Sequence, residues 1–479
     1  MKELFFPEMN PEALGIPSSA VSAFVNDLNQ LEQSHAFVLM RHGKIVARGA
    51  WSPYTMELPH ELFSLSKSFV SCAIGIAQGE NRLKISDRVM DFFPEYLSDR
   101  VSPEMKTVTL KNLLTMSSGH DRCSFNFVDF EHGDWLRGIF ESPLFYRPGE
   151  RFVYNSGATF LLAAVIRKVT GMNVSEYLQS RLFDPLEIQP PEWNCNPQGT
   201  NIGGWGLWLN VMDIAKFAHL LLHRGCWNGR QLVPAEYLAE ATSYQADNSM
   251  NESPDWKIGY GYQFWRCREG GFRGDGAAGQ YAVVYPEKDL TLAFVSGMGG
   301  MQQVLTSLQE RILPVLKEQP LPENPAASAQ LRTQLENLRA ALPPDMSAGV
   351  AGTPECAAGE YAAAPNRWGI QNIKLSFGND SCSLDIDGVR VLAGFRETEY
   401  SNAALAARTP HRVAARAAWL RPDLLKIYAW CIQTTARFTW LLRFDTDHVV
   451  IQRTTPILFF SNENNIVFHA FRTKKDRPD

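Results

Sequence analysis

Ser64 and Lys67, in the run Leu62-Phe63-Ser64-Leu65-Ser66-Lys67-Ser68-Phe69, put an alcohol and an amine one helical turn apart. A lysine ammonium beside the alcohol lowers its pKa, and a neutral amine there can accept its proton. Either route turns an ordinary serine into a nucleophile for acyl transfer without a histidine. The spacing alone equally suits a solvated lysine next to a helix-capping serine. The next stretch favours the chemical reading. Phe69-Val-Ser-Cys-Ala-Ile-Gly-Ile-Ala77 is apolar or small almost all the way round, which predicts a buried helix that carries Lys67 inward. A buried lysine needs a partner or a lowered pKa. A serine at the start of such a helix also gains from its positive end and free N–H groups.

Two other segments could complete an acyl-transfer site. In Tyr154-Asn155-Ser156, preceded by Pro148-Gly149-Glu150, a tyrosine beside a lysine can lose its proton below its free value. It could then take the serine proton and return it to a leaving group. The alternative is a helix-capping loop with a structural tyrosine. In Gly274-Asp275-Gly276-Ala277-Ala278-Gly279-Gln280-Tyr281, small residues at a strand start allow close approach to the backbone. One N–H there can join the Ser64 N–H in holding an oxyanion. The alternative is a plain turn.

The elements that must position these residues are legible in outline. Ala36–Met40 and Ile45–Ala47 flank Arg41–Lys44 as a hairpin. Val108–Thr115 starts a helix that ends at the Ser117-Ser118-Gly119 turn, Thr159–Thr170 is a helix stopped by Gly171, and Val211–Leu222 is an amphipathic helix. Tyr281–Tyr285 and Leu290–Val295 flank a Pro286–Asp289 turn as a second hairpin. A proline-rich stretch, Glu318–Pro325, marks a boundary, and a helix with Leu331, Leu335, Leu338 and Leu342 on one side follows it. Beyond residue 351 the pattern is β: Phe438, Trp440, Leu442 and Phe444 alternate with polar or smaller residues, and Val449–Ile451, Ile457–Phe460 and Ile466–Phe468 are further short strands. The expected organisation is a catalytic domain over 1–318, a linker with a short helix over 319–350, and a β-rich barrel or sandwich over 351–479.

Composition bounds the rest. A chain of 479 residues, 45% hydrophobic and 20% charged, can bury a large core in two or more domains. A net charge of −5 gives no reason to expect nucleic acid or an anionic membrane as partner, and the basic Lys474–Arg477 tail suits a solvated surface. Pro7 and Glu8 interrupt the place of a secretory apolar core, and no apolar run is long enough to span a bilayer. The eight cysteines form no Cys-x-x-Cys pair, and the ten histidines are isolated, with no metal-ligand spacing. Free thiols, no metal and a cytoplasmic location are the resulting expectations.

Taken together, the three segments resemble the serine β-lactamase-related hydrolases of the class C type. These include class C β-lactamases, D-alanyl-D-alanine carboxypeptidases, family VIII esterases and the nylon-oligomer hydrolase. The resemblance covers roughly residues 10–315 and rests on Arg41-His-Gly-Lys-Ile45, Leu62–Lys67, Leu110–Gly119, Pro148–Tyr154, Gly203-Gly-Trp-Gly-Leu207 and Gly279-Gln280. A looser likeness to an accessory β-domain lies in Gly359-Glu-Tyr361, Asn366–Ile370 and Ala417-Ala-Trp419. The resemblance implies an α+β fold, an antiparallel sheet flanked by helices with a helical subdomain, followed here by the β-barrel-like domain. It implies that Ser64 attacks a carbonyl, that Lys67 and Tyr154 share the proton traffic, and that the N–H groups of Ser64 and Ala277 hold the oxyanion. It implies an acyl-enzyme and no cofactor.

Two departures bear on substrate. Members that bind β-lactams usually have Tyr-x-Asn, where this chain has Ser156, whose hydroxyl has a shorter reach. The usual Lys-Thr-Gly or His-x-Gly is Gly274-Asp275-Gly276, which offers no cation to a substrate carboxylate, and Asp275 would repel one unless Arg273 turned inward. The expected activity is therefore hydrolysis of a small ester or amide, with Gly276, Asp275 and Ser156 near the substrate. A β-lactamase or carboxypeptidase, and a silent scaffold of the same fold, are the rivals. Homo-oligomerisation is left open.

Overall fold

The hairpin expected near residues 36–47 forms from β1 (Ser34–Arg41) and β2 (Lys44–Ala50). Its central residues His42 and Gly43 both have positive φ, the condition of a type I′ turn, whose twist matches that of the strands. The computed structural model describes residues 6–347, 349–406, 409–456 and 464–473, without the side chain of Cys356. Its chain divides into two units: residues 1–50 with 59–338, and residues 51–58 with 339–479.

The first unit is built on a six-stranded sheet. Its other strands are β3 (Trp265–Arg266), β4 (Phe272–Gly276), β5 (Gln280–Tyr285) and β6 (Leu290–Ser296). The order is β2-β1-β6-β5-β4-β3, antiparallel throughout. Strands β5 and β6 are buried along their whole length, as their unbroken apolar runs require. Helices α1 (Ser18–Gln30), α2 (Ser66–Gly79), α3 (Ser156–Thr170) and α4 (Val211–Leu222) surround it. Every residue of α2 from Ser66 to Ala77 is buried, so the helix is surrounded on all sides, as its composition predicts. Phe69 of α2 stacks on Phe217 of α4 at 3.9 Å between ring centroids.

Local chemistry sets the ends of these helices. The Asn155 side chain accepts from the N–H groups of Gly157 and Ala158 at the start of α3, and Gly171, at φ +73°, closes its end. Asn210 caps α4 by accepting from the Asp213 N–H. The helix expected from residue 108 is shorter, Leu110–Leu114, because a Thr109–Asn112 capping box starts it late. After the proline-rich stretch, α5 (Pro325–Glu336) groups with the first unit. It ends before Leu338 and Leu342, so only Leu331 and Leu335 of the expected stripe are helical.

The second unit is a barrel of β7 (Gly359–Ala363), β8 (Asn372–Phe377), β9 (Ser381–Ile386), β10 (Val389–Gly394), β11 (Glu399–Ala403), β12 (His411–Arg421), β13 (Leu424–Cys431), β14 (Arg437–Asp445), β15 (His448–Thr454) and β16 (Asn465–Arg472). Nine strands run β10-β9-β8-β7-β16-β15-β14-β13-β12, and a parallel contact between Gly394 and Arg416 closes the ring, with β11 lying along β12. Closure removes the exposed edges of a long sheet. The alternation in β14 is realised: Phe438, Trp440, Leu442 and Phe444 all join the barrel core. Val449–Ile451 and Ile466–Phe468 lie within β15 and β16, whereas Ile457–Phe460 and the Lys474–Arg477 tail fall outside the described residues. Among the described residues, no helix is long and apolar enough to cross a membrane.

Candidate active site

Ser64 sits in a short 3-10 turn, Phe63–Leu65, that leads directly into α2. Phe63 has φ +45°, a left-handed conformation that a bulky residue adopts only under strain, of about 1–3 kcal/mol. Lys67, on the first turn of α2, donates from Nζ to Ser64 Oγ at 2.9 Å and to the Gly204 carbonyl at 2.6 Å. Its ammonium also lies 5.0 Å from the centre of the Tyr154 ring. Ser64 also acts on the Tyr154 phenol, so the serine lies between a lysine and a tyrosine.

Burial sets the proton balance of this cluster. Lys67 is 1% exposed, and desolvation pushes its pKa down to about 7, against the pull of Cys123 and Asp275 nearby. Tyr154 moves the other way: burial, reinforced by the Asp275 charge, pushes its pKa up, and Ser64 offsets only part of this. The phenolate expected from a neighbouring lysine is therefore not the resting form. Burial shifts Lys67 toward its neutral amine.

Strand β4 brings the glycine-rich segment against the Ser64 turn. A Cβ on Gly276 would overlap the Leu62 carbonyl, and one on Gly274 would meet Ser68 and Leu65. The glycines thus admit the Ser64 turn itself, a use that turn chemistry alone did not suggest. The following turn is pinned by Gln280, which donates to the Ala277 carbonyl, and by Ser296, whose hydroxyl donates to the Ala278 carbonyl. Among the described residues, neither the Ser64 N–H nor the Ala277 N–H donates to a protein acceptor.

Arg273 and Asp275 share one face of β4. Arg273 is fully buried and turned inward, and its Nε donates to Asp275 Oδ2 at 2.9 Å. Its Nη1 donates to the Asp255 and Arg266 carbonyls, and its guanidinium stacks 4.4 Å from the Trp256 ring. Burial works against the Arg273 charge, but Cys267 and Asp275 beside it more than offset this. Asp275 is pushed up by burial, against the opposing influence of Arg273, Lys67 and Trp265. Its carboxylate is thus engaged by protein partners.

Asn155 is wholly structural: besides capping α3, its Oδ1 accepts from the N–H and hydroxyl of Ser124. Ser156 is the first residue of α3 and packs beside Gly204, and Lys67 takes the Gly204 carbonyl as its second acceptor. Several residues of this neighbourhood had no signal strong enough to single out. Gly204 stood in a noted glycine-rich string, but nothing in that string points to its carbonyl. Gln263 ties three elements together, donating to the Leu113 and Leu114 carbonyls, accepting from Thr159, and taking the Ser68 hydroxyl on its own carbonyl. Trp265 stacks on Tyr154 at 5.5 Å. Cys123 acts electrostatically on both Lys67 and Tyr154.

The cysteines whose side chains are described are all free. Histidines isolated in the sequence pair in space, His35 with His60 at 3.0 Å and His448 with His469 at 2.9 Å, yet among the described residues no group of three or more His, Cys, Asp or Glu could hold a metal ion.

An antiparallel sheet flanked by helices, with the Ser64 turn and its helix packed against one strand, is the fold of β-lactamases and penicillin-binding proteins. The chain belongs to the Beta-lactamase family, whose model matches residues 26–312. Relatives of known activity are hydrolases. The lovastatin esterase of Penicillium rubens is 32% identical over 237 residues, which cover 36% of this chain and 58% of the esterase, so the chain spans less than two thirds of that relative. The 6-aminohexanoate-dimer hydrolase of Paenarthrobacter ureafaciens is 21% identical over 325 residues, covering 60% of this chain and 80% of the hydrolase. A solved Bacillus anthracis protein assigned as a 6-aminohexanoate-dimer hydrolase superposes with a TM-score of 0.50 at 19% identity, covering 64% of this chain and 86% of that one, a likeness of fold.

Proposed function

We propose that this chain is a serine esterase or amidase that forms an acyl-enzyme on Ser64. The observation that carries the reading is the 2.9 Å contact between Lys67 Nζ and Ser64 Oγ, with the Tyr154 ring 5.0 Å from the same Nζ. Neutral Lys67 takes the Oγ proton as Oγ bonds to the substrate carbonyl carbon. The carbonyl oxygen becomes an oxyanion held by the N–H groups of Ser64 and Ala277. Tyr154, protonated at rest, gives its proton to the leaving alcohol or amine as that bond breaks, and Lys67 restores it. Water then attacks the acyl-enzyme by the same route in reverse, releasing a carboxylic acid and free Ser64. Gly276 keeps the turn and strand in contact, and Ser156 lines the substrate side.

The pairing of Asp275 with Arg273 supports a substrate without a carboxylate at this position. The one buried guanidinium on the strand gives its Nε to Asp275 and its Nη1 to the Asp255 and Arg266 carbonyls, and the Asp275 carboxylate beside it offsets its charge. The esterase named among the relatives favours esters over amides. A β-lactamase or carboxypeptidase fits this strand less well, and an inactive scaffold has no use for a lysine buried against a serine.

The test is release of p-nitrophenol from short p-nitrophenyl esters by the wild type and by Ser64→Ala. Loss of at least about 10³-fold in kcat/KM with an unchanged melting temperature is expected. Equal release by the two proteins would sink the reading. Nitrocefin turnover faster than ester turnover would favour the β-lactamase alternative.

A further inference from the structure

A ladder of aromatic rings leads outward from the Ser64 cluster, and two separate ties fix its inner end. The first runs through the lysine. Lys67 Nζ donates to the Gly204 carbonyl at 2.6 Å, and the next residue, Trp205, meets the Phe125 ring edge-on at 5.2 Å between centroids. The second runs through the tyrosine. Asn155, which follows Tyr154, accepts from the N–H and hydroxyl of Ser124, the residue before Phe125. Cys123, one place earlier, acts on both Lys67 and Tyr154. Phe125 itself is buried.

From Phe125 the rings continue to the surface. Phe130 lies 5.5 Å from Phe125 and edge-on to Trp135 at 5.1 Å, yet it stays 45% exposed. A turn keeps it there: Asp129 Oδ1 accepts from the Glu131 and His132 N–H groups, and the Gly133 N–H donates to the Asp129 carbonyl. An exposed ring held by an ordered turn, on a segment anchored to a reactive site, suits the apolar group of a ligand. Edge-on and tilted contacts already run through the ladder, and one more ring extends it in the same geometry. Asp129 and Glu131, exposed on either side of Phe130, disfavour an anionic ring.

The ladder starts on the lysine side of the cluster. Trp205 adjoins the Gly204 carbonyl that holds Lys67, and Cys123 acts on Lys67 more strongly than Asp275 does but on Tyr154 less strongly. In the proposed reaction the leaving group departs at Tyr154, so the ladder serves the half of the substrate that stays on Ser64. We propose that the preferred substrate is a neutral ester whose acyl group ends in an uncharged aromatic ring, seated against Phe130 with Phe125 behind it. This rests on the proposed acyl-enzyme at Ser64 and names its acyl class.

The test holds the leaving group constant and compares kcat/KM of the full-length protein for p-nitrophenyl butyrate, 4-cyclohexylbutyrate and 4-phenylbutyrate. The phenyl ester should exceed butyrate by at least about tenfold and the cyclohexyl ester by at least about twofold. Phe130→Ala should cut the phenyl-to-butyrate ratio by about fivefold. Phe130→Leu, which keeps bulk and removes the ring, should bring the phenyl ester down to the cyclohexyl level. A thermal melt by circular dichroism checks both variants, and the wild-type series decides alone if neither folds. On the alcohol side, benzyl butyrate should gain less over ethyl butyrate than the phenyl acyl ester gains over butyrate. Turnover without a phenyl preference, a cyclohexyl ester as good as the phenyl ester, a ratio untouched by both Phe130 variants, or a larger gain from benzyl would each overturn this proposal alone. No turnover of any p-nitrophenyl ester would overturn the Ser64 reading, and the acyl class with it.

Discussion

A lysine with no carboxylate in hydrogen-bond contact, held in the interior by a serine hydroxyl and a backbone carbonyl, is easier to keep neutral than charged. That fixes the sign of two measurements. If neutral Lys67 is the base, kcat/KM for a p-nitrophenyl ester should rise with pH through an inflection near 7 and level off above it. Glu61, which burial and Glu192 raise to about 7, lies three residues ahead of Ser64, so Glu61→Gln is the control: the inflection should survive it. Stability should follow the same group. Between about pH 7 and the unfolded lysine value near 10.4, the unfolded chain holds a proton that the folded chain does not. The contribution of Lys67 to stability should therefore rise with pH across that window, by up to about 1.4 kcal/mol per pH unit, read as the difference between wild type and Lys67→Met in urea unfolding. Tyr154→Phe should slow alkyl esters by about 10²–10⁴-fold and p-nitrophenyl esters far less, because nitrophenolate leaves without a proton. Equal losses for both leaving groups would remove Tyr154 from the role of acid.

At the scale of elements, the site depends on three contacts: α2 against β4, α3 against its capping loop, and Gln263 between them. A methyl group on Gly276 has nowhere to go except into the Leu62 carbonyl. Gly276→Ala should cost about 1–3 kcal/mol and lower kcat more than it raises KM, since it moves the strand that carries the Ala277 N–H. Asn155→Ala should remove the α3 cap and the tie to Ser124 together, at about 2–4 kcal/mol, with activity falling because Tyr154 precedes the cap. Urea unfolding and steady-state kinetics on the same preparations separate the two effects. The helices and hairpins were legible because apolar periodicity and caps are local. The exceptions were equally local in cause. The Leu110–Leu114 helix waits for its capping box, and α5 stops before Leu338.

At the scale of the whole molecule, the barrel core is formed by residues of the second unit alone. Leu442 is fully buried within it, on a β14 strand whose inward positions are all large. Leu442→Ala should leave a cavity costing about 2–5 kcal/mol. In scanning calorimetry it should lower one transition and leave another in place, with ester hydrolysis at room temperature unchanged. A single transition moving as a whole would mean that the two units unfold together. Period-2 alternation pointed to a barrel or sandwich but could not choose between them. The choice rests on the Gly394–Arg416 closure, a contact between residues 22 positions apart that no local pattern encodes.

The sequence by itself determined which segments are buried, which are helical or extended, and which residue types could carry acyl transfer, because periodicity, capping and a three-residue Ser–Lys spacing are properties of neighbouring residues. Only the tertiary structure decided how the charges balance. Burial pushes the Lys67 pKa down and the Tyr154 pKa up, Arg273 turns inward to take up Asp275, and the Gly204 carbonyl arrives from more than a hundred residues away to hold the lysine. Desolvation and ion pairing depend on what surrounds a group in space, and chain order does not carry that information.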